Sequence, residues 1–167
     1  MNLNLVAHKI FIDQFTPIAY YEKLRDFFKG ETTHLFESAV NNEEGNFSYI
    51  VIGARERIWH ENNRSYYQDE AKNITEVDEN PLKYLQKYYK DIDQEAHKTF
   101  ARENDIGLVD GFIGFIGYDM VKSFEPKLKA VMNSMRSEMS APDLDLMRPK
   151  LIIAYSHKKS VLTLVSG

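Results

Sequence analysis

The sequence contains no cysteine, and this absence excludes several kinds of site. With no Cys among 167 residues, the chain can form no disulfide, no thiolate zinc site and no Cys nucleophile. A basic balance is missing as well, because 21 Lys and Arg against 25 Asp and Glu give a formal net charge of −4. Proteins that bind nucleic acid normally present a clustered basic surface, so we predict no nucleic-acid partner.

Long apolar runs are also missing. The amino terminus, MNLNLVAHKIFIDQF, has no basic start followed by a long apolar core, so we identify neither a signal peptide nor a membrane span. We therefore predict a cytoplasmic protein without a membrane partner. The residues that are present, 43% hydrophobic and 28% charged, are typical of an ordinary globular protein, and the length suits one folded unit with a sizeable core.

Familiar catalytic and ligand-binding patterns are absent too. The glycines at positions 107, 111, 114 and 117 match neither G-x-G-x-x-G nor a P-loop, and their spacing suits close packing instead. The five histidines form no His-x-His or His-x-x-x-His pair, and we predict no metal site in this chain. A G-x-S-x-G motif is missing. The sequence thus carries no recognisable catalytic constellation.

Cap and turn residues divide the chain into helices and strands. Thr16 before Pro17 predicts the start of one helix, and Asn80 before Pro81 predicts the start of a second. The charged residues 91–105 fit either an extension of that second helix or a solvated connection.

Short β-branched and aromatic runs around turn residues predict three hairpins, over 34–53, 58–68 and 149–165. Residues 107–119 predict a buried strand, and the apolar spacing of residues 128–139 predicts a further helix. Helices and antiparallel strands without βαβ alternation predict an α+β fold, with helices flanking an antiparallel β-sheet or sandwich.

Two adjacent polar residues, Glu37 and Ser38, interrupt the apolar run HLFESAV (34–40). Because successive strand side chains point to opposite faces, one of the two is expected to face the interior. A buried carboxylate needs a partner. The sequence leaves open whether that partner is the protein's own backbone or a ligand.

The last predicted strand ends at Val165, two residues before the end of the chain. A final strand without a closing element leaves backbone donors and acceptors unpaired at a sheet edge, so we expect that more protein follows.

Several stretches together resemble one family. HLFESAV, GNFSYIVIG, GFIGFIGYDMVKSFE and PDLDLMRPKLIIAYSHKKSVLTLV occur in the order found in the amino-terminal region of anthranilate synthase component I and its chorismate-using relatives. The resemblance implies that residues 1–167 are a single amino-terminal domain, lacking the carboxy-terminal part that binds chorismate and Mg²⁺ in this family. It implies no cofactor and no catalysis for the chain alone, and Mg²⁺ for the full-length enzyme.

The resemblance also implies a ligand. In feedback-regulated members the corresponding strand lines an allosteric tryptophan pocket, which assigns Glu37 and Ser38 to a tryptophan site. Phe36 departs from the family's Leu, and Asn46 stands where many relatives have Arg, so a contact from Asn46 to the ligand carboxylate lacks positive charge. The implied partners are L-tryptophan, the glutamine amidotransferase subunit (component II) and the missing carboxy-terminal catalytic domain.

Two other interpretations stay open at this point. One is the amino-terminal domain of aminodeoxychorismate synthase component I, although the Phe36-Glu37-Ser38-Ala39 stretch favours the anthranilate enzyme. The other is a non-enzymatic module that binds a small ligand or a protein.

Overall fold

The structure, a computed structural model, describes residues 5–12, 16–38, 47–78, 80–123, 125–132 and 141–167. The described residues form eight strands, four α-helices and one 3-10 helix. In chain order these are β1 Val6–Phe11, α1 Pro17–Phe27, β2 Thr33–Phe36, β3 Phe47–Glu61, β4 Arg64–Gln68, β5 Ile74–Val77, α2 Pro81–Asp91, α3 Gln94–Asn104, β6 Ile113–Ile116, the 3-10 helix Tyr118–Ser123, α4 Pro126–Met132, β7 Leu144–Ser156 and β8 Val161–Ser166.

The strands pair in antiparallel fashion within one hydrogen-bonded sheet. With helices packed beside it, this arrangement confirms the predicted α+β fold with an antiparallel sheet. None of the described helices is long and apolar enough to cross a lipid bilayer.

The chain divides into two compact units. The first comprises Met1–Ala54, Ile92–Gly111 and Pro149–Gly167, and the second comprises Arg55–Asp91 and Phe112–Arg148. Strands β3 and β7 each contribute residues to both units. The division therefore does not test the predicted single domain, which stays a prediction.

In the first unit the strands lie in the order β1-β8-β7-β3-β2. Four buried strand residues form its core, and aromatic and leucine side chains of α1 pack against them; the buried residues are Ile50, Ile52, Ile153 and Leu162. Each such side chain contributes roughly 1.5–3 kcal/mol when it is removed from water. Helix α1 begins as predicted, since the Thr16 hydroxyl accepts a hydrogen bond from the Ala19 amide at 3.3 Å.

Strand β8 is an interior strand of the first unit. Val165 pairs with Ala7 of β1 on one side and with Ile152 of β7 on the other. The prediction of an unpaired last strand is therefore wrong, because the amino-terminal strand β1 covers it. The expectation that more protein follows loses this argument and stays a prediction.

In the second unit the order is β6-β7-β3-β4-β5. Its core consists of Ile58, Met120, Leu144 and Leu146, against which side chains of α2 pack. The hairpin predicted over residues 58–68 is confirmed, because β3 pairs with β4 in antiparallel fashion. Its turn residues, Asn62 and Asn63, have φ values of 51° and 62°. These values fit the type I′ turn that two asparagines favour.

A buried polar network also stabilises the second unit. Arg148, of which only 3% is exposed, donates to Glu56 Oε2 at 2.8 Å. The hydroxyl of Tyr67 donates to Glu56 Oε1 at 2.6 Å. Because the charge of Glu56 is both paired and hydrogen-bonded, its partial burial is tolerated.

Three other predicted elements differ from those observed. Residues 107–119 contain the short strand β6 and the first residues of the 3-10 helix. Phe115 and Ile116 on β6 are 48% and 55% exposed, so the predicted buried strand is wrong. The charged residues after α2 form a separate helix, α3. The helix predicted over residues 128–139 corresponds to α4 as far as Met132, and its remainder lies outside the described residues.

Candidate functional site

The two polar residues singled out in the sequence lie just beyond a strand. Strand β2 ends at Phe36, which pairs with Tyr49 of β3, and Glu37 and Ser38 follow it outside the hydrogen-bonded ladder. Both are exposed, so the predictions that the strand continues through residue 38 and that one of the pair faces the interior are wrong. Alternation between faces applies only while the ladder continues.

Glu37 and Ser38 nevertheless line one cavity of the first unit, with a volume of about 660 Å³. The third predicted site residue, Asn46, lies outside the described residues. The cavity is formed by the end of β2, the start of β3 and the end of α3, and its lining consists of Phe36, Glu37, Ser38, Phe47, Tyr49, Ala101, Arg102, Asp105, Ile106 and Gly107.

Aromatic residues of β2 and β3 provide the apolar part of this lining. Phe47 and Tyr49, two positions apart on β3, stack with ring centroids 6.0 Å apart. Phe36 lies opposite Tyr49 in the strand pairing. The Tyr49 hydroxyl accepts a hydrogen bond from the Gly107 amide at 3.2 Å. Burial raises the pKa of Tyr49 above its ordinary value of 10.0, so this ring is neutral near pH 7.

The end of α3 provides the second side of the cavity. Asp105 adopts a left-handed conformation, with φ 54°, and its amide donates to the Ala101 and Arg102 carbonyls. The Ile106 amide also donates to the Ala101 carbonyl, at 3.0 Å. This capped end turns the chain sharply, so that Ile106 becomes buried while Arg102 and Asp105 stay at the surface of the same cavity.

Three charged side chains of the described residues line the cavity, and within that part of the chain only Asp105 has an ion-pair partner. Asp105 forms an ion pair with Lys159 in the turn before β8. Arg102 donates through Nε to the Lys98 carbonyl at 3.3 Å. Among the described residues, neither Glu37 nor the two terminal nitrogens of Arg102 have a hydrogen-bond or ion-pair partner.

The arrangement therefore offers a carboxylate, a guanidinium and a hydroxyl beside an aromatic wall. These groups suit a small zwitterionic molecule with an aromatic part, because each of its ends can meet the opposite charge. Among the described residues, no group of three or more His, Cys, Asp and Glu side chains is placed to hold a metal ion.

No motif in the sequence predicts the cavity residues that α3 and the segment after it contribute. Arg102, Asp105 and Ile106 are far from Glu37 in the sequence, and only the fold brings them to the cavity. One local signal was present: Asn104-Asp105 followed by Gly107 is typical of a helix end, where a chain can turn back.

The chain is similar to several curated proteins named anthranilate synthase component 1. No family model matches it. The chain is 26% identical over 166 residues to anthranilate synthase component 1 of Mycobacterium tuberculosis, with 97% of this chain and 30% of the relative covered. The same enzyme of Mycolicibacterium smegmatis is 28% identical, covering 97% of this chain and 29% of the relative. That of Thermus thermophilus is 25% identical over 90% of this chain and 29% of its own length.

The chain thus spans about 30% of the length of the curated relatives that it matches. Three relatives from distinct genera carry the same name, and in the two mycobacterial proteins the match includes nearly every residue of this chain. The resemblance predicted from the sequence is therefore confirmed: the chain is related, over almost all of its length, to part of anthranilate synthase component 1.

Proposed function

We propose that this chain is the amino-terminal regulatory domain of an anthranilate synthase component 1 and that its cavity is part of a feedback site for L-tryptophan. One observation carries the proposal: Glu37 and Ser38, which the family resemblance assigns to a tryptophan site, line a cavity with an aromatic wall. The similarity to component 1 supports the assignment of the chain to that enzyme.

The chemistry of the cavity fits this ligand. A carboxylate such as Glu37 can accept charge-assisted hydrogen bonds from the ligand's ammonium group, and the Ser38 hydroxyl can donate or accept. An indole ring can stack against Phe47 and Tyr49, since aromatic pairs contribute about 0.5–1.5 kcal/mol beyond the area they bury.

The activity of the complete enzyme belongs to the proposal as well. We propose that a longer protein containing this domain converts chorismate to anthranilate with Mg²⁺ and a glutamine amidotransferase subunit. This domain alone is inactive. Tryptophan bound here reduces activity because it binds more tightly to the less active of two states of the longer protein and so favours that state.

Titration calorimetry with L-tryptophan tests the site. We expect Glu37→Ala to weaken binding about tenfold or more, because a charged hydrogen bond contributes roughly 1.5–3 kcal/mol, and Ser38→Ala to weaken it less. Glu22→Ala, an exposed change on α1, is the matched control and should leave affinity unaltered. Wild-type affinity in both cavity variants would remove the site assignment.

Product analysis tests the assignment of the enzyme. A full-length protein carrying this domain, supplied with chorismate, Mg²⁺ and the amidotransferase subunit, should release anthranilate. Aminodeoxychorismate without anthranilate would assign the chain to the related synthase instead.

A further inference from the structure

We propose that Arg102 of helix α3 binds the ligand's carboxylate and thereby makes the cavity selective for free amino acids over the corresponding amines and amides. This inference rests on the proposed function, since it concerns the same cavity. The resemblance places a contact to the ligand carboxylate at Asn46, which carries no charge. Arg102 makes that contact instead.

The first argument is charge. Among the described residues that line the cavity, Arg102 is the only cation. The lining also includes the carboxylates of Glu37 and Asp105, and an anionic ligand group placed among these without a cation would be repelled. Asp105 forms an ion pair with Lys159, so these two opposite charges largely offset each other. Among the described lining residues, Arg102 and Glu37 form no ion pair and provide one positive and one negative group for the two ends of a zwitterion. The pKa of Glu95, two turns earlier on α3, is lowered mainly by its hydrogen bond to a lysine of the same helix and also by the Arg102 charge.

The second argument is the geometry of the guanidinium. Its Nε donates to the Lys98 carbonyl one turn earlier on α3, at 3.3 Å, which holds the side chain along the helix. The remaining N–H groups, on the two terminal nitrogens, have no hydrogen-bond partner among the described residues. A guanidinium restrained at Nε presents a planar fork that matches a carboxylate in bidentate fashion.

The third argument concerns the helix end itself. The last carbonyls of a helix carry partial negative charge and disfavour an anion nearby. Here the Ala101 and Arg102 carbonyls accept hydrogen bonds from the Asp105 amide, and Ala101 also accepts from Ile106. Because these carbonyls are bonded, they oppose a carboxylate at Arg102 less than exposed ones would.

A comparison of ligands on the full-length protein that carries this domain tests the inference. Affinities of L-tryptophan and L-tryptophanamide, which lacks the carboxylate charge, are measured by calorimetry on wild type and on Arg102→Gln. We expect wild type to prefer tryptophan about tenfold or more and Arg102→Gln to bind both about equally. Arg102→Lys, which keeps the charge but not the fork, should retain part of the preference.

Lys98→Gln is the control on the same helix, because it removes an exposed cation that does not line the cavity. This variant should keep the wild-type preference for tryptophan over tryptophanamide. Circular dichroism and thermal unfolding verify that each variant is folded. If Arg102→Gln keeps the wild-type preference while Glu37→Ala weakens binding, this inference is wrong and the proposed function stands. If folded wild-type protein binds no tryptophan, both are overturned.

Discussion

At the scale of single residues, Gly114 shows how backbone space constrains the fold. Its φ is +156°, and a Cβ built on it would lie 2.1 Å from the Asp145 carbonyl oxygen of the neighbouring strand β7. Real Cβ atoms essentially never approach a backbone atom so closely. Strand β6 can therefore pair with β7 at this point only because the residue is glycine.

We expect Gly114→Ala to lower the free energy of unfolding by about 3 kcal/mol or more, since a backbone clash adds to the strain of positive φ. Gly30→Ala is the control: its φ is +95°, but nothing lies within 4 Å of the added Cβ. That change should lower the free energy of unfolding only by the cost of holding an alanine at positive φ, about 1–2 kcal/mol. Urea denaturation of both variants measures the difference, and equal losses would contradict the role given to the Asp145 carbonyl.

Residues also show which part of the site was predictable. Glu37 and Ser38 were identified because polar residues in an apolar run are conspicuous and because a family motif covers them. Arg102 could not be identified in this way, since an arginine on a charged helix is ordinary and nothing local indicates what faces it. Only the antiparallel pairing of β2 with β3, together with the turn after α3, brings it near Glu37.

At the scale of elements, helix α3 depends strongly on its caps. It has no fully buried residue, so the caps at its two ends contribute a larger share of its stability than they would in a core helix. At its start the Asp93 carboxylate accepts a hydrogen bond from the Ala96 amide at 2.9 Å. At its end Asp105 closes the last turn. The position of one side of the cavity therefore rests on these two local structures.

We expect Asp93→Ala to lower the free energy of unfolding by about 1 kcal/mol, because it removes the acceptor at the helix start. Hydrogen exchange should accelerate in the first turn of α3. Glu103→Ala, near the carboxyl end of the same helix, serves as control and should be neutral or slightly stabilising, since a carboxylate there opposes the helix dipole. Equal destabilisation by both changes would contradict the capping role.

The elements that sequence patterns predicted are those with strong turn or cap residues. The hairpin around Asn62 and the helix after Thr16 were found in this way. Strands β1 and β5 were missed, because nearly all their residues are exposed and no alternation of apolar and polar residues marks them. Strand β3 was predicted as two shorter strands, yet it is continuous through Gly53.

At the scale of the whole molecule, partly buried tyrosines link stability to alkaline pH. Burial is the main cause that raises the pKa values of Tyr49, Tyr67 and Tyr84 above their ordinary value of 10.0. For Tyr67, the hydrogen bond to Glu56 acts in the same direction. Below about pH 10 both folded and unfolded chains keep these protons, so the three groups contribute no pH dependence there.

As pH rises through about 10, the unfolded tyrosines ionise while the folded ones stay protonated, so the free energy of unfolding must fall. The slope is at most about 1.4 kcal/mol per pH unit for each tyrosine, before solvent screening reduces it. Urea denaturation between about pH 8 and 11 measures this slope. Tyr67→Phe should be less stable near neutrality but show a shallower slope. Tyr118→Phe, at a residue that is 84% exposed, should keep the wild-type slope. An unchanged slope in Tyr67→Phe would contradict its part in the linkage.

The discontinuity of the two compact units limits how this chain can be dissected. The first unit draws on three separate stretches of sequence and the second on two. Trimming the chain from either terminus removes parts of the first unit and never isolates the second, because residues 92–111 interrupt it. A single protease cut between β3 and β7 likewise separates two neighbouring strands of the sheet, so we expect neither fragment to fold by itself.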